Sequence, residues 1–231
     1  GLMRIIETIL QRIVLTKKLF FLIILIFTLL GCTSIMVDYE SPNFNKETGR
    51  FEHRSGDKNN KSFGDLFGWA ADYFTRENDE AENNGFPVVR SSKKQLKHFN
   101  ENVIWVGHSS LLINHSNVTI LTDPQFAGRA SPFSFLGPKR VTPVPFPIAD
   151  LPIIDVVVIS HNHYDHLDEQ SIREIVTRQP QIKFLVPLGL KQLILSWGAQ
   201  DVIELDWWQP INVKGVKIQP TPVQHWSKRS A

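Results

Sequence analysis

A layered α/β fold is what this sequence predicts, and three observations carry the prediction. From Val103 onward, short apolar runs alternate with segments of helical spacing, as in folds that stack helices on a sheet. Turn residues at His115-Ser116-Asn117 and Lys214-Gly215 separate neighbouring apolar runs, as in hairpins. An apolar run from Ile153 to Ile159 also leads straight into a loop dense in histidine and aspartate, and a helix-like segment leaves it. Such folds place their chemistry at that C-terminal end of a strand.

The front of the chain has a different character. It begins with Gly1, and Lys17-Lys18 precede Leu19 to Leu30, twelve residues that are apolar except for Thr28. A basic start, a short apolar core and a small residue before the cleavage point make a secretory signal peptide, covering residues 1–31. The apolar core is too short to span a membrane, which takes about 20 residues. Its basic region begins naturally at Val14 or Leu15, so residues 1–13 read as upstream frame; a start at Met3 is the alternative. The ending Leu29-Leu30-Gly31-Cys32 resembles a bacterial lipobox, which implies cleavage before Cys32 and acyl chains on its thiol and amine. Cys32 is the sole cysteine, so no internal disulfide forms despite the oxidising compartment implied; the alternative for a lone cysteine is a core position. Several acyl chains, at about 0.8 kcal/mol per buried CH₂, hold a stable anchor. The expected location is the bacterial cell envelope. Thr33 in place of Asp after the cysteine points to the periplasmic face of the outer membrane in a two-membrane bacterium.

Residues 32–100 read as a lipidated tether and a helical segment. Residues 33 to about 60 are polar and rich in Asn, Lys and Gly, which suits a tether. Ser62 can cap a helix whose stripe is Phe63, Leu66, Phe67, Ala70, Ala71 and Phe74, packed on the domain or lying on a membrane surface. Residues 75–102, with Asn83-Asn84-Gly85, read as loop. The net charge is +2 and no compact basic stripe exists, which argues against a nucleic-acid partner.

Residues 101–231 form the catalytic domain in this reading. Val103–Val106, Leu111–Asn114 and Val118–Thr122 are strands, and His115 is a turn residue between the last two. Pro138 to Pro152 is too proline-broken for a regular element and forms a long loop at the site's rim. Phe133, Phe135 and Phe146 either pack on the core or wall a substrate site. Asp168 caps a helix through Thr177. Phe184–Pro187 is a strand, Gly189–Trp197 a helix and Val202–Leu205 a strand, followed by the hairpin Ile211–Val213 and Val216–Gln219.

Function is concentrated in Ser160-His161-Asn162-His163-Tyr164-Asp165-His166-Leu167-Asp168. Three of the chain's eight histidines sit here with a carboxylate. Imidazole nitrogen and carboxylate oxygen both bind zinc and similar first-row ions at about 2 Å. His161 and His163, two apart in an extended loop, can grip one ion, while Asp165 and His166 face a second beside it. A polar surface loop is the alternative for one histidine, but not for this density.

The His-x-His-x-Asp-His run resembles the signature of the metallo-β-lactamase superfamily. Trp105-Val106-Gly107-His108-Ser109-Ser110, Leu121-Thr122-Asp123-Pro124, Gly137-Pro138-Lys139-Arg140 and Gln224-His225-Trp226-Ser227 are similar, in order, to the branch that includes N-acyl-phosphatidylethanolamine-hydrolysing phospholipase D. The resemblance covers residues 103–230 and implies an αββα sandwich of which only the N-terminal part is present. It assigns His161, His163 and His225 to one metal and Asp165 and His166 to the second. The local alternative for His225 is a core-edge histidine. The resemblance puts Asp123 beside the ligands as a supporting carboxylate; a turn-forming Asp before Pro124 is its alternative. His108 lines the site or closes a hairpin turn.

The resemblance implies a metal-dependent hydrolase with two zinc ions, or other first-row metals, and a metal-bridging hydroxide as nucleophile. Asp165 holds one metal and orients that nucleophile. The branch and the anchor together favour a phosphodiesterase of phospholipase D type acting on a phospholipid. Lactone or ester hydrolysis on the same fold is the alternative, as is a non-catalytic metal-binding lipoprotein. The family pattern carries a further bridging Asp and a late His beyond the Gln-His-Trp motif, whereas this sequence ends at Ala231. The expectation is a truncated product or an incomplete reading frame whose isolated 231 residues fold poorly and catalyse weakly or not at all.

Overall fold

A computed structural model describes residues 39–52, 87–97, 100–135 and 137–223, together with residues 225, 227 and 229. The signal, Cys32 and the helix expected over residues 62–74 lie outside these residues. The chain divides into two compact units, Gly1–Glu52 and His53–Ala231. Among the described residues, no helix is long and apolar enough to cross a membrane.

The first unit corrects the expectation of a plain tether. Residues 39–52 hold a small antiparallel hairpin of β1 (Phe44–Asn45) and β2 (Arg50–Phe51). The Asn45 side chain accepts from the amides of Glu47 and Thr48, and Gly49 takes a left-handed φ of 65° to complete the turn. The rings of Tyr39, Phe44 and Phe51 gather with centroids 5.0–5.4 Å apart. The polar composition hid this because only these rings are apolar.

The second unit opens with α1 (Lys93–Lys97), inside the segment read as loop. Ser92 and Gln95 cap it reciprocally: the Ser92 amide donates to Gln95 Oε1 at 2.8 Å and the Gln95 amide to Ser92 Oγ at 3.4 Å. Leu96 buries fully from this single turn. The Ser-x-x-Gln spacing was the missed signal.

A six-stranded sheet follows: β3 (Asn102–Gly107), β4 (Ser110–His115), β5 (Val118–Thr122), β6 (Val156–Val158), β7 (Lys183–Pro187) and β8 (Asp201–Leu205), side by side in that order. β3, β4 and β5 are antiparallel, and β5 to β8 are parallel. His115 pairs with Val118, so the β4–β5 turn is Ser116-Asn117, with φ of 51° and 60°. Positive φ at both positions matches the right-handed twist of the flanking strands.

The central strands alternate their apolar residues between two cores, as expected of parallel strands covered on both faces. Leu121, Val157, Phe184 and Val202 face one core. There they meet Ile172, Ile175 and Val176 of α2 (Glu169–Arg178) and Ile194 of α3 (Lys191–Ser196). Val118, Val156 and Leu185 face the other, where Val213 packs from the hairpin β9 (Ile211–Val213) and β10 (Val216–Ile218). Helices lie on one face of the sheet and a hairpin on the other.

Two elements are shorter than their sequences suggest. The strand expected over Ile153–Ile159 pairs only at Val156–Val158. Side chains replace the ladder ahead of it: Gln179 accepts from the Ile154 amide and donates to the Pro152 carbonyl, and Asp155 Oδ2 accepts from the Thr119 amide. Ile153 is left 82% exposed. The helix expected over Gly189–Trp197 spans only Lys191–Ser196. Its start carries no side-chain oxygen of its own, and Glu204 of β8 accepts from the Gly189 and Lys191 amides. α2, by contrast, is capped by Asp168, whose Oδ2 accepts from the Ser171 amide at 2.8 Å.

The proline-rich stretch is a long loop with one 3₁₀ turn, Ile148–Asp150. It splits the aromatic trio: Phe146 is buried in the core, whereas Phe133 and Phe135 stay exposed with ring centroids 5.7 Å apart.

Phe184→Ala empties a fully buried position in a central strand and is expected to cost about 3–5 kcal/mol in urea unfolding. Ile153→Ala is expected to change stability by less than about 0.5 kcal/mol, because the side chain is solvated.

Candidate metal centre

The site sits where the parallel strands end. β5 delivers Asp123, β6 runs into residues 160–166, and the β3–β4 turn brings His108 to the same edge. That turn needs Gly107: its φ is 141°, and a Cβ there would stand 2.6 Å from Arg140 Nη1. Arg140 is half-buried beneath the turn and donates to the Gln125 carbonyl and side-chain oxygen and to the Ala127 carbonyl.

Two groups of ligand atoms result. In the first, His161 Nε2 lies 2.9 Å from His163 Nδ1, and His225 Nε2 lies 3.2 Å from the same atom. Three imidazole nitrogens converge with no carboxylate among them. Tetrahedral bonds of about 2.05 Å would hold such nitrogens roughly 3.3 Å apart, so the group fits a metal ion. In the second, His108 Nε2 lies 2.8 Å and His166 Nε2 3.6 Å from Asp165 Oδ2. The two groups adjoin, with the His161 and His166 ring centroids 4.1 Å apart.

The supports beneath them are explicit. Asp123 is buried, at a left-handed φ of 39°. Its Oδ1 accepts from the Ser160 amide at 2.7 Å, and its Oδ2 accepts from Ser160 Oγ at 2.7 Å and faces His166 Nδ1 at 2.8 Å. With its hydrogen committed to Asp123, Ser160 Oγ accepts from His161 Nδ1 at 2.9 Å. His161 and His166 therefore carry their protons on Nδ1 and turn Nε2 lone pairs toward the two groups.

Electrostatics agree with this arrangement. Burial, then the neighbouring imidazoles of His166, His163 and His225, push His161 down to about 4. Burial and His225 likewise pull His163 below the usual histidine range. Both rings are neutral at pH 7, the form that binds metal. Burial also pulls on His166, but the hydrogen bond and charge of Asp123 outweigh it and raise its pKa. For Asp165, burial pushes up, and its own backbone amide with His166 and His108 brings the carboxyl below its ordinary value.

All the residues singled out from the sequence around the motif meet here. His108, read as a site-lining or turn residue, does both: its φ is 49°, and its ring reaches Asp165. Two contributors were missed. Ser160 was quoted in the motif without a role, although a hydroxyl next to a ligand is a signal for one. Arg229 was missed entirely. Its guanidinium stands 4.1 Å from the Tyr164 ring centre and 5.1 Å from that of Trp197. An open groove of about 1390 Å³ borders this side of the loop, lined among others by Phe133, Tyr164, Leu190, Leu193, Trp197 and Arg229.

His161→Ala is expected to lower the bound-metal stoichiometry by one ion per chain, measured by elemental analysis; unchanged stoichiometry would mean that His161 is not a ligand. Asp123→Asn keeps the shape but removes the charge facing His166, and is expected to weaken metal binding about 10–100-fold by competition with a chelating dye.

Residues 118–231 match a family described as "Beta-lactamase superfamily domain". The chain is 43% identical over 134 residues to N-acyl-phosphatidylethanolamine-hydrolyzing phospholipase D 1 of Caenorhabditis elegans, a match covering 54% of this chain and 38% of that protein. It is 38% identical over 130 residues to the mitochondrial N-acyl-phosphatidylethanolamine-hydrolyzing phospholipase D of Saccharomyces cerevisiae, covering 54% of this chain and 27% of that one. The chain thus spans well under half the length of these curated relatives. Among solved structures, a possible metal-dependent hydrolase from Veillonella parvula aligns at 21% identity and a TM-score of 0.43, over 52% of this chain and 47% of that one. With its His-x-His-x-Asp-His run at the strand edge and the family match from β5 onward, residues 118–231 belong to the metallo-β-lactamase superfamily.

Proposed function

We propose that the protein is a metal-dependent hydrolase acting on a lipid phosphodiester, with two adjoining metals at the sheet edge. The observation that carries this reading is the pair of ligand groups, His161/His163/His225 and His108/Asp165/His166, side by side at the sheet edge. Divalent ions in such sites lower the pKa of water to around 7 and polarise the oxygens of an ester. Zinc suits the all-imidazole group best, and other first-row ions share its ligand preferences.

The chain's own residues supply the rest. His161 and His163 stay neutral because burial opposes their protonation, so they compete for metal without first losing a proton. Asp123 and Ser160 fix the ring orientations. Asp165 is the proposed catalytic carboxylate, which would help hold one metal and orient the attacking water. The groove beside the loop has apolar walls at Phe133, Leu190 and Leu193 and a cation at Arg229, which suits a substrate with acyl chains and an anionic headgroup. The similarity to two N-acyl-phosphatidylethanolamine-hydrolysing enzymes supports the same substrate class. Lipidation at Cys32, which lies outside the described residues, would hold the site at a bacterial envelope membrane.

Stripping metal with a chelator is expected to abolish hydrolysis of N-acyl-phosphatidylethanolamine in mixed micelles, and added zinc to restore it. Asp165→Asn is expected to lower kcat by about 10²-fold or more while leaving substrate binding within a few-fold. Hydrolysis of lactones alone would move the reaction from phosphorus to a carbonyl carbon. A fully metallated protein that cleaves neither substrate would be a metal-binding lipoprotein.

A further inference from the structure

His225 comes from far along the chain, 62 residues beyond His163, and no strand or helix holds it. Its amide bonds to the Val223 carbonyl.

Alternate residues after it reach the same loop. Ser227 Oγ donates to Asn162 Oδ1 at 2.6 Å. Arg229 Nη1 donates to the Asn162 carbonyl at 3.1 Å and to the Leu167 carbonyl at 2.6 Å. Those two carbonyls bracket the run His163–His166, since Asn162 precedes it and Leu167 follows it. The guanidinium is half-buried, near the faces of Tyr164 from the loop itself and Trp197 from the end of α3. One cation thus touches both ends of the ligand run, a ring within it and the helix layer behind it. A planar guanidinium, donating from one nitrogen to both carbonyls while its face lies near two aromatic rings, suits this task better than a point charge.

We propose that Arg229 is a positioning residue that latches the segment 225–229 onto the metal loop and so holds His225 against His161 and His163. The inference rests on the metal-centre reading above. Ser227 is the weaker second fastening, being exposed and bonded to one side chain.

The test is titration of the full-length chain with Co²⁺ alone, following the visible d–d spectrum, which reports ligand number and geometry. His225→Ala serves as the reference for a lost ligand. Arg229→Ala is expected to bind the first Co²⁺ about tenfold or more weakly, with a spectrum moved toward that of the reference. Arg229→Lys keeps a charge that can donate to carbonyls but lacks the planar face near Tyr164 and Trp197, and is expected to fall between Arg229→Ala and wild type. A lower melting temperature with wild-type Co²⁺ affinity and spectrum would overturn the proposal, because Arg229 would then only stabilise the fold. If circular dichroism shows that Arg229→Ala does not fold, Arg229→Lys decides: wild-type affinity and spectrum there overturn the latch. Wild-type protein that takes up no Co²⁺ would remove the metal-centre reading and the latch with it. Normal uptake with an unresponsive Arg229 would remove the latch alone.

Discussion

A buried carboxylate must find partners, because an ionised group without hydrogen bonds is costly inside a protein. Asp123 is such a group, and its partners define the site. One oxygen takes the Ser160 amide, and the other takes the Ser160 hydroxyl and faces the Nδ1 edge of His166. Its own amide bonds the Val158 carbonyl, which ties the end of β5 to the end of β6. The left-handed backbone at Asp123 aims the side chain across that gap. Asp is among the few residues with a short enough polar side chain to adopt that conformation readily. The sheet thereby fixes two imidazoles at once, one directly and one through a serine.

The other end of the loop is held independently. His166 and Leu167 amides both bond the His163 carbonyl, closing a tight turn. Asp168 then starts α2, and the Ser171 hydroxyl it holds accepts from the Phe126 amide, in the segment that leaves Asp123. The ligand run is therefore anchored at its entrance by a carboxylate and at its exit by a helix cap. Both anchors lead back to the stretch after β5.

Much of this was legible in the sequence, for local reasons. Histidines and an aspartate at short spacing declare metal chemistry wherever they fall, and Lys214-Gly215 marks a turn by backbone preference alone. β5, β7 and β8 emerged close to their expected bounds because each is a short run rich in β-branched or large apolar residues. Features that depend on distant partners were not legible. Ile153 and Ile154 look like strand, but Gln179, 25 residues beyond Ile154, takes the amide that a ladder would use. Arg229 reads as one more surface cation until Tyr164, Trp197 and two carbonyls are placed around it. Ser160 has no visible role until Asp123 arrives from another strand. The helical turn at Lys93–Lys97 is a different case, since its Ser-x-x-Gln cap was local and was overlooked within a charged segment.

The contact between His163 and His225 spans 62 residues, which include two of the four parallel strands, β7 and β8. Closing a loop of that length costs roughly 3–4 kcal/mol of chain entropy, which nearby contacts must offset. β7, β8 and the helices α2 and α3 lie within the interval, so the trihistidine cluster closes around elements that dock on shorter-range contacts. Its third histidine lies outside any strand or helix, on a stretch tied to the loop by side-chain bonds of Ser227 and Arg229. Local opening should begin there, at the third histidine, while β5 to β8 remain closed. An ion gripping all three rings would act as a cross-link across that interval, making metal occupancy a kinetic seal on the C-terminal segment as well as part of the chemistry.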